Sequence, residues 1–68
     1  MSEFESGALI ALATLNAVFD QPSMCASTIN ELGLAGIDCS ELSEFDRKNL
    51  AKINANLPKD KKLKGLNG

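Results

Sequence analysis

Residues 8–19 read ALIALATLNAVF, the longest apolar run in the chain. Ten of its twelve positions are apolar, interrupted only by Thr14 and Asn16. A bilayer span needs about 20 consecutive apolar residues, so the run is too short to cross a membrane. Apolar and polar residues do not alternate in it as they do in a half-buried strand, and alanine, the best helix former, is its commonest residue. The stretch therefore reads as a buried helix. Just ahead of it, Ser2 and Glu5 have the S-x-x-E spacing of a capping box, which extends the helix to residues 3–19.

A helix at the surface of a domain shows an apolar stripe, whereas this one is apolar on most of its circumference. A chain of 68 residues builds only one modest core. Some of this helix is thus expected to be covered by another molecule. Gly7, Ala11 and Thr14 form a strip of small residues that would let a second helix approach closely. The expected interface comprises Gly7, Leu9, Ala11, Leu12, Ala13 and Leu15, and the expected assembly is a homodimer.

Downstream, Asp20-Gln21-Pro22-Ser23 stops the first helix and starts the second, with Pro22 suited to a first helical turn. The second helix is predicted over residues 23–32, although Thr28 and Glu31 offer a later start. Gly33 ends it in the left-handed conformation, and Leu34 is placed to touch Ile29. After a short connector, Asp38 with Glu41 offers a capping box and Ile37 with Leu42 a hydrophobic staple, predicting a third helix over residues 39–56. Leu42, Phe45, Leu50, Ile53 and Leu57 share one face of it, with Lys48 and Lys52 opposite. Asp46 and Asn49 interrupt that face and mark a kink or a second start at Asp46. Pro58 ends the element.

Residues 58–68, with four lysines and two glycines, read as a flexible tail. The expected architecture is an all-α three-helix bundle over residues 1–57, with the three phenylalanines in its core.

Charge is segregated. Residues 1–46 hold eight acids and no base, and residues 47–68 hold seven bases and one acid, giving halves of −8 and +6. Such asymmetry points to a binding partner. Lys48, Lys52, Lys59, Lys61, Lys62 and Lys64 could follow a phosphate backbone, which makes nucleic-acid association the alternative to protein binding. A helix-turn-helix centred on Gly36 is rejected, because its recognition helix would present Asp38, Glu41, Glu44 and Asp46 to DNA phosphates. Tyr and Trp are absent, which removes the usual platforms for base stacking.

Catalytic machinery is not visible. The chain has no histidine, and neither a phosphate-binding glycine loop nor a calcium loop occurs in it. Carboxylate pairs such as Glu41 and Glu44 read as a solvated helix face. With only Cys25 and Cys39 as thiols, a zinc site within one chain lacks ligands, so no metal or cofactor is expected. The two cysteines read as buried and reduced. The opening residues 1–5 are acidic, unlike a signal peptide, so the protein is expected in the cytoplasm. The functional expectation is a small non-enzymatic interaction or regulatory module with a protein partner. On size alone, that would suit an accessory protein of a bacteriophage or other mobile element.

Overall fold

The computed structural model describes residues 1–67, and Gly68 lies outside them. Three helices account for the fold: α1, Glu3–Phe19; α2, Pro22–Glu31; and α3, Glu44–Asn54. A single 3-10 turn follows at Lys59–Lys61. Helix α1 packs on both α2 and α3, which also pack on each other. The core gathers Leu9, Leu12 and Ala13 from α1, Cys25, Ala26 and Ile29 from α2, and Leu50 and Ile53 from α3.

The local signals at the first two helices act as the sequence suggests. Ser2 Oγ accepts the Glu5 amide at 3.1 Å, while the Glu5 carboxylate accepts the Ser2 amide at 2.7 Å. These reciprocal bonds satisfy two donors that a helix N-terminus otherwise leaves open. At its other end α1 closes on Asp20, held at φ 51° with its amide donating to the Asn16 carbonyl. Pro22 opens α2. Gly33, at φ 70°, ends α2 with its amide on the Asn30 carbonyl, and the Leu34 amide reaches the Ile29 carbonyl at 3.0 Å. That pair of bonds is a Schellman ending, and both Ile29 and Leu34 are buried behind it.

The third helix departs from expectation. It begins at Glu44 rather than at residue 39, because Ser43 is extended (φ −62°, ψ 160°) and caps a new start. Ser43 Oγ accepts the Asp46 amide at 3.2 Å and donates to the Asp46 carboxylate at 2.9 Å. Asp46 therefore belongs to the cap, which explains an acid on the apolar face. Asp38, the expected cap, instead accepts the Ser40 amide at 2.9 Å. The Leu42 amide closes one turn onto the Cys39 carbonyl at 3.0 Å, and Leu42 still reaches the core. Helix α3 ends at Asn54, two residues before the expected end, and its last carbonyls are taken up by tighter turns through Asn56 and Leu57.

The basic segment after Pro58 is the second departure. Read as a flexible tail, it folds back onto the bundle through residues 61–66. The Cys39 amide donates to the Lys64 carbonyl at 2.8 Å, and the Lys64 amide to the Ile37 carbonyl at 2.9 Å, a short parallel bridge. Leu63 is buried in the core, and Leu66 packs at its edge. The Asn54 side chain clasps both backbone groups of Leu63, accepting its amide at 2.7 Å and donating to its carbonyl at 3.3 Å. Lys62 Nζ donates to the carbonyls of Asn54 and Leu57 at 2.8 and 3.1 Å, placing a positive charge at the α3 C-terminus, where the helix dipole favours one.

Gly65, at φ 72°, lies against the Asp38 carboxylate, and an added Cβ would stand 2.8 Å from the Ser40 amide nitrogen. Any side chain here would push the tail off the 38–40 turn. Two substitutions test this clasp. Leu63→Ala is expected to lose about 2–5 kcal/mol by emptying a core position. In a domain of this size that is most of the stability, so the melting transition should drop steeply or disappear. Gly65→Ala, which changes no core contact, should also lower the melting temperature. A tail that contributes nothing to the fold would leave both values at wild type, as measured by circular dichroism.

Candidate interaction surface on helix one

At 100° per residue, Leu9, Leu12, Ala13 and Asn16 define one side of α1, and all four are buried. Val18 projects almost directly opposite Leu9. Leu9, Leu12 and Ala13, expected at an interface, therefore belong to the protein's own core, because α2 and α3 occupy the side of α1 on which they lie. Gly7, Ala11 and Leu15 remain exposed.

The outward side is nevertheless apolar. Phe4 is 62 % exposed, Val18 67 %, Phe19 63 % and Met24 of α2 61 %. Phe45 on α3 is exposed as well, so none of the three phenylalanines sits in the core where the sequence placed them. Phe4, Ala8, Ala11, Leu15 and Val18 follow one another at spacings of 4, 3, 4 and 3 residues. That is the spacing of a seam between packed helices; Phe4, Ala11, Leu15 and Val18 of it are exposed, while Ala8 is half-buried and packs against the core. Between Glu5 and Asp20 the helix carries no charge. Taking about 200 Å² for a large apolar side chain, Phe4, Leu15, Val18, Phe19 and Met24 together expose roughly 600 Å². This is the upper end of the largest apolar patch on an ordinary monomer.

The seam borders a groove of about 500 Å³ between α1 and α2, lined by Leu12, Leu15, Phe19, Met24, Cys25 and Thr28 with Gln21 at its edge. Cys25 is buried at its floor, its thiol directed at the Leu12 carbonyl 3.7 Å away.

On its inner side α1 carries one buried polar residue. Asn16 Nδ2 approaches Asn49 Oδ1 of α3 at 3.5 Å, and Asn49 Nδ2 donates to the Phe45 carbonyl at 3.2 Å. Asn16 Oδ1 has no partner among the described residues, an omission worth about 1–3 kcal/mol. The pair explains why Asn49 interrupts the apolar face of α3. It opposes any sliding of α1 along α3 that would strand both amides among leucines.

The lysines of the alternative reading are dispersed, each in a different setting. Lys48 pairs with Glu44 at 3.3 Å on the exposed face of α3. Lys61 donates to Asn30 Oδ1 at 3.0 Å, and Lys62 caps the end of α3. Lys52, Lys59 and Lys64 point to solvent.

Among the described residues, no three His, Cys, Asp or Glu side chains are grouped to hold a metal ion. No described helix is long and apolar enough to cross a membrane. Cys25 and Cys39 are both unpaired and buried. Burial pushes the Cys25 thiol up from its ordinary value. Burial, together with the negative Asp38 beside it, pushes Cys39 up to about 11. Asp38 itself is held below the usual carboxylate range, chiefly by the Ser40 amide and then by its hydroxyl, with smaller help from the N-terminus and Lys64.

No protein-family model matches the chain, and no curated protein or solved structure is significantly similar to it.

The thiols give a pH prediction. A folded pKa raised above the unfolded value favours the folded state while the thiol stays protonated. For Cys39 that contribution is complete below pH 9 and is lost as pH rises from the ordinary 9.0 toward 11. Thiolate absorbance of Cys39 in the native protein should therefore emerge near pH 11, and that of Cys25 above its ordinary value. Stability should decline between pH 9 and 11, and less so in Cys39→Ala. Titration of both thiols at the ordinary value of 9.0 in the folded protein would contradict the buried placement.

Proposed function

We infer that this protein is a non-enzymatic protein–protein interaction module that works as a homodimer through the outer face of α1. The observation supporting this reading is the apolar seam Phe4-Ala8-Ala11-Leu15-Val18. The chain's own core uses the other side of the helix and reaches only Ala8 of the seam, so Phe4, Ala11, Leu15 and Val18 remain exposed in a single copy. Burying the seam together with Phe19 and Met24, roughly 600 Å² per copy, would approach the ~800 Å² that each partner contributes to a standard interface. At about 25 cal/mol per Å² the gross gain is ~15 kcal/mol for each copy, enough to offset much of the cost of association. A small regulatory or accessory role fits a chain whose best-developed surface is a docking face.

Nucleic-acid binding by the basic end is less well supported. Lys61 and Lys62 already hold the tail and the α3 terminus and Lys48 pairs with Glu44, which leaves Lys52, Lys59 and Lys64 for phosphates.

Sedimentation of the intact chain is expected to show a dimer at micromolar concentration. Val18→Glu should convert it to a monomer with unchanged helix content, since Val18 makes no core contact. Ala11→Leu, which enlarges the seam, should alter assembly more than the equal change Ala51→Leu on exposed α3. A wild-type monomer at several hundred micromolar would remove this reading. Salt-sensitive binding to DNA and RNA alike, lost in the Lys48→Ala/Lys52→Ala variant, would favour the other.

A further inference from the structure

Phe4, at one end of the seam, and the groove, beside its other end, lie at different heights on α1, and their separation specifies how two copies meet. Phe4 lies near the start of α1 and projects into solvent. The groove lies near the end of α1, where Leu15 and Phe19 form one wall and Met24 of α2 the other. From Phe4 to Leu15 is eleven residues, about 16 Å along the axis at 1.5 Å per residue. One chain cannot place its own Phe4 in its own groove.

Resting on the homodimer reading above, we propose that two copies pair with their α1 helices antiparallel, each inserting Phe4 into the groove of its mate formed by Leu15, Phe19 and Met24. Three features of the chain favour this orientation. The groove, about 500 Å³ and apolar, has room for the ring, since a cavity of ~150 Å³ already holds benzene. Side chains on a helix lean toward its N-terminus, so the Phe4 ring reaches beyond the start of its own helix. In an antiparallel mate that direction runs toward Phe19 and the groove.

Size complementarity is the third feature. Two antiparallel seams crossing between Ala8 and Ala11 bring small residues together at the crossing, where the backbones must approach. Gly7 flanks the same point, with nothing within 4 Å of the position where a side chain would begin. Phe4 then lies beside Leu15 of the mate at both ends. A parallel pair would instead stack Phe4 on Phe4, leave both grooves empty, and set small residues opposite each other next to bulky pairs. The antiparallel arrangement is isologous, the same patch serving both copies, and it closes at two.

Disulfide trapping distinguishes the orientations. Phe4→Cys and Leu15→Cys are made separately in a Cys25→Ala background, which removes the groove thiol, and are oxidised alone and as an equal mixture. The antiparallel dimer should cross-link only in the mixture, because a disulfide requires Cα atoms within about 7 Å. Cross-linking of Phe4→Cys with itself would establish the parallel pair and overturn the proposal. So would a sedimentation dimer that yields no cross-link in any arm, which would place the interface elsewhere and leave dimerisation itself intact. A monomer by sedimentation would remove both the orientation and the functional reading beneath it.

A second comparison needs no cross-link. Phe4→Ala is expected to weaken dimerisation about tenfold or more, as loss of a ring from a pocket does at other interfaces. Phe45→Ala, an equally exposed ring on α3, should leave the dissociation constant unchanged. Equal effects of the two would overturn the assigned role of Phe4.

Discussion

Coverage of α1 is the constraint on which the rest of the structure depends. Fourteen consecutive residues without a charge, from Ser6 to Phe19, form a helix whose apolar surface extends well beyond one stripe. In the bundle, α2 and α3 cover the side bearing Leu9, Leu12 and Ala13. Among the described residues none is placed over Val18, and Phe4 and Leu15 are left open with it. Leaving large apolar side chains in water forgoes about 1.5–3 kcal/mol each. The deficit on the outer face is thus comparable with the whole stability of a domain this small. A second copy of the same face is the simplest way to close it.

The inner face is completed by a device at the opposite end of the chain. Three helices of 17, 10 and 11 residues do not by themselves cover the region around Ile37 and Cys39. The segment after Pro58 does so by contributing Leu63 and by pairing its backbone with residues 37–39. The lysines of this segment support that closure. Lys62 sits on the end of α3, Lys61 reaches Asn30, and Lys64 lies close enough to Asp38 to help keep it ionised. Part of the charge asymmetry between the two halves is therefore used within the molecule.

Residue by residue, the chain shows which signals were legible. The capping box at Ser2, Pro22 at the start of α2 and the Gly33–Leu34 ending each depend on neighbours within a few positions, and each forms as expected. The start of α3 depends equally on local signals, but two compete. Asp38 with Glu41 and Ser43 with Asp46 are both plausible caps. The choice between them is tied to the tail, whose Lys64 carbonyl takes the Cys39 amide across 25 residues. The tail itself looks flexible in the sequence because its lysines outweigh Leu63 and Leu66 in composition. Gly65 between those leucines is the one clue to a close approach. On α1 the seam can be counted in the sequence, yet a helix apolar all round gives no contrast by which to choose its inner side. Asn16 would ordinarily mark the solvent face, and here it faces Asn49.

Whether a second copy covers the outer face of α1 is decided by the solvent accessibility of that face in solution. A soluble paramagnetic agent broadens the NMR signals of side chains that it can approach. In the native protein at concentrations where the dimer forms, Phe4, Ala8, Ala11, Leu15 and Val18 should be shielded nearly as well as core Leu9, while Phe45 is strongly broadened. On dilution the shielding of Phe4, Ala11, Leu15 and Val18 should fall together, while that of core-packed Ala8 falls less and that of Leu9 persists. If Phe4 and Val18 are broadened as strongly as Phe45 at every concentration, the outer face of α1 stands open to water and the account is wrong.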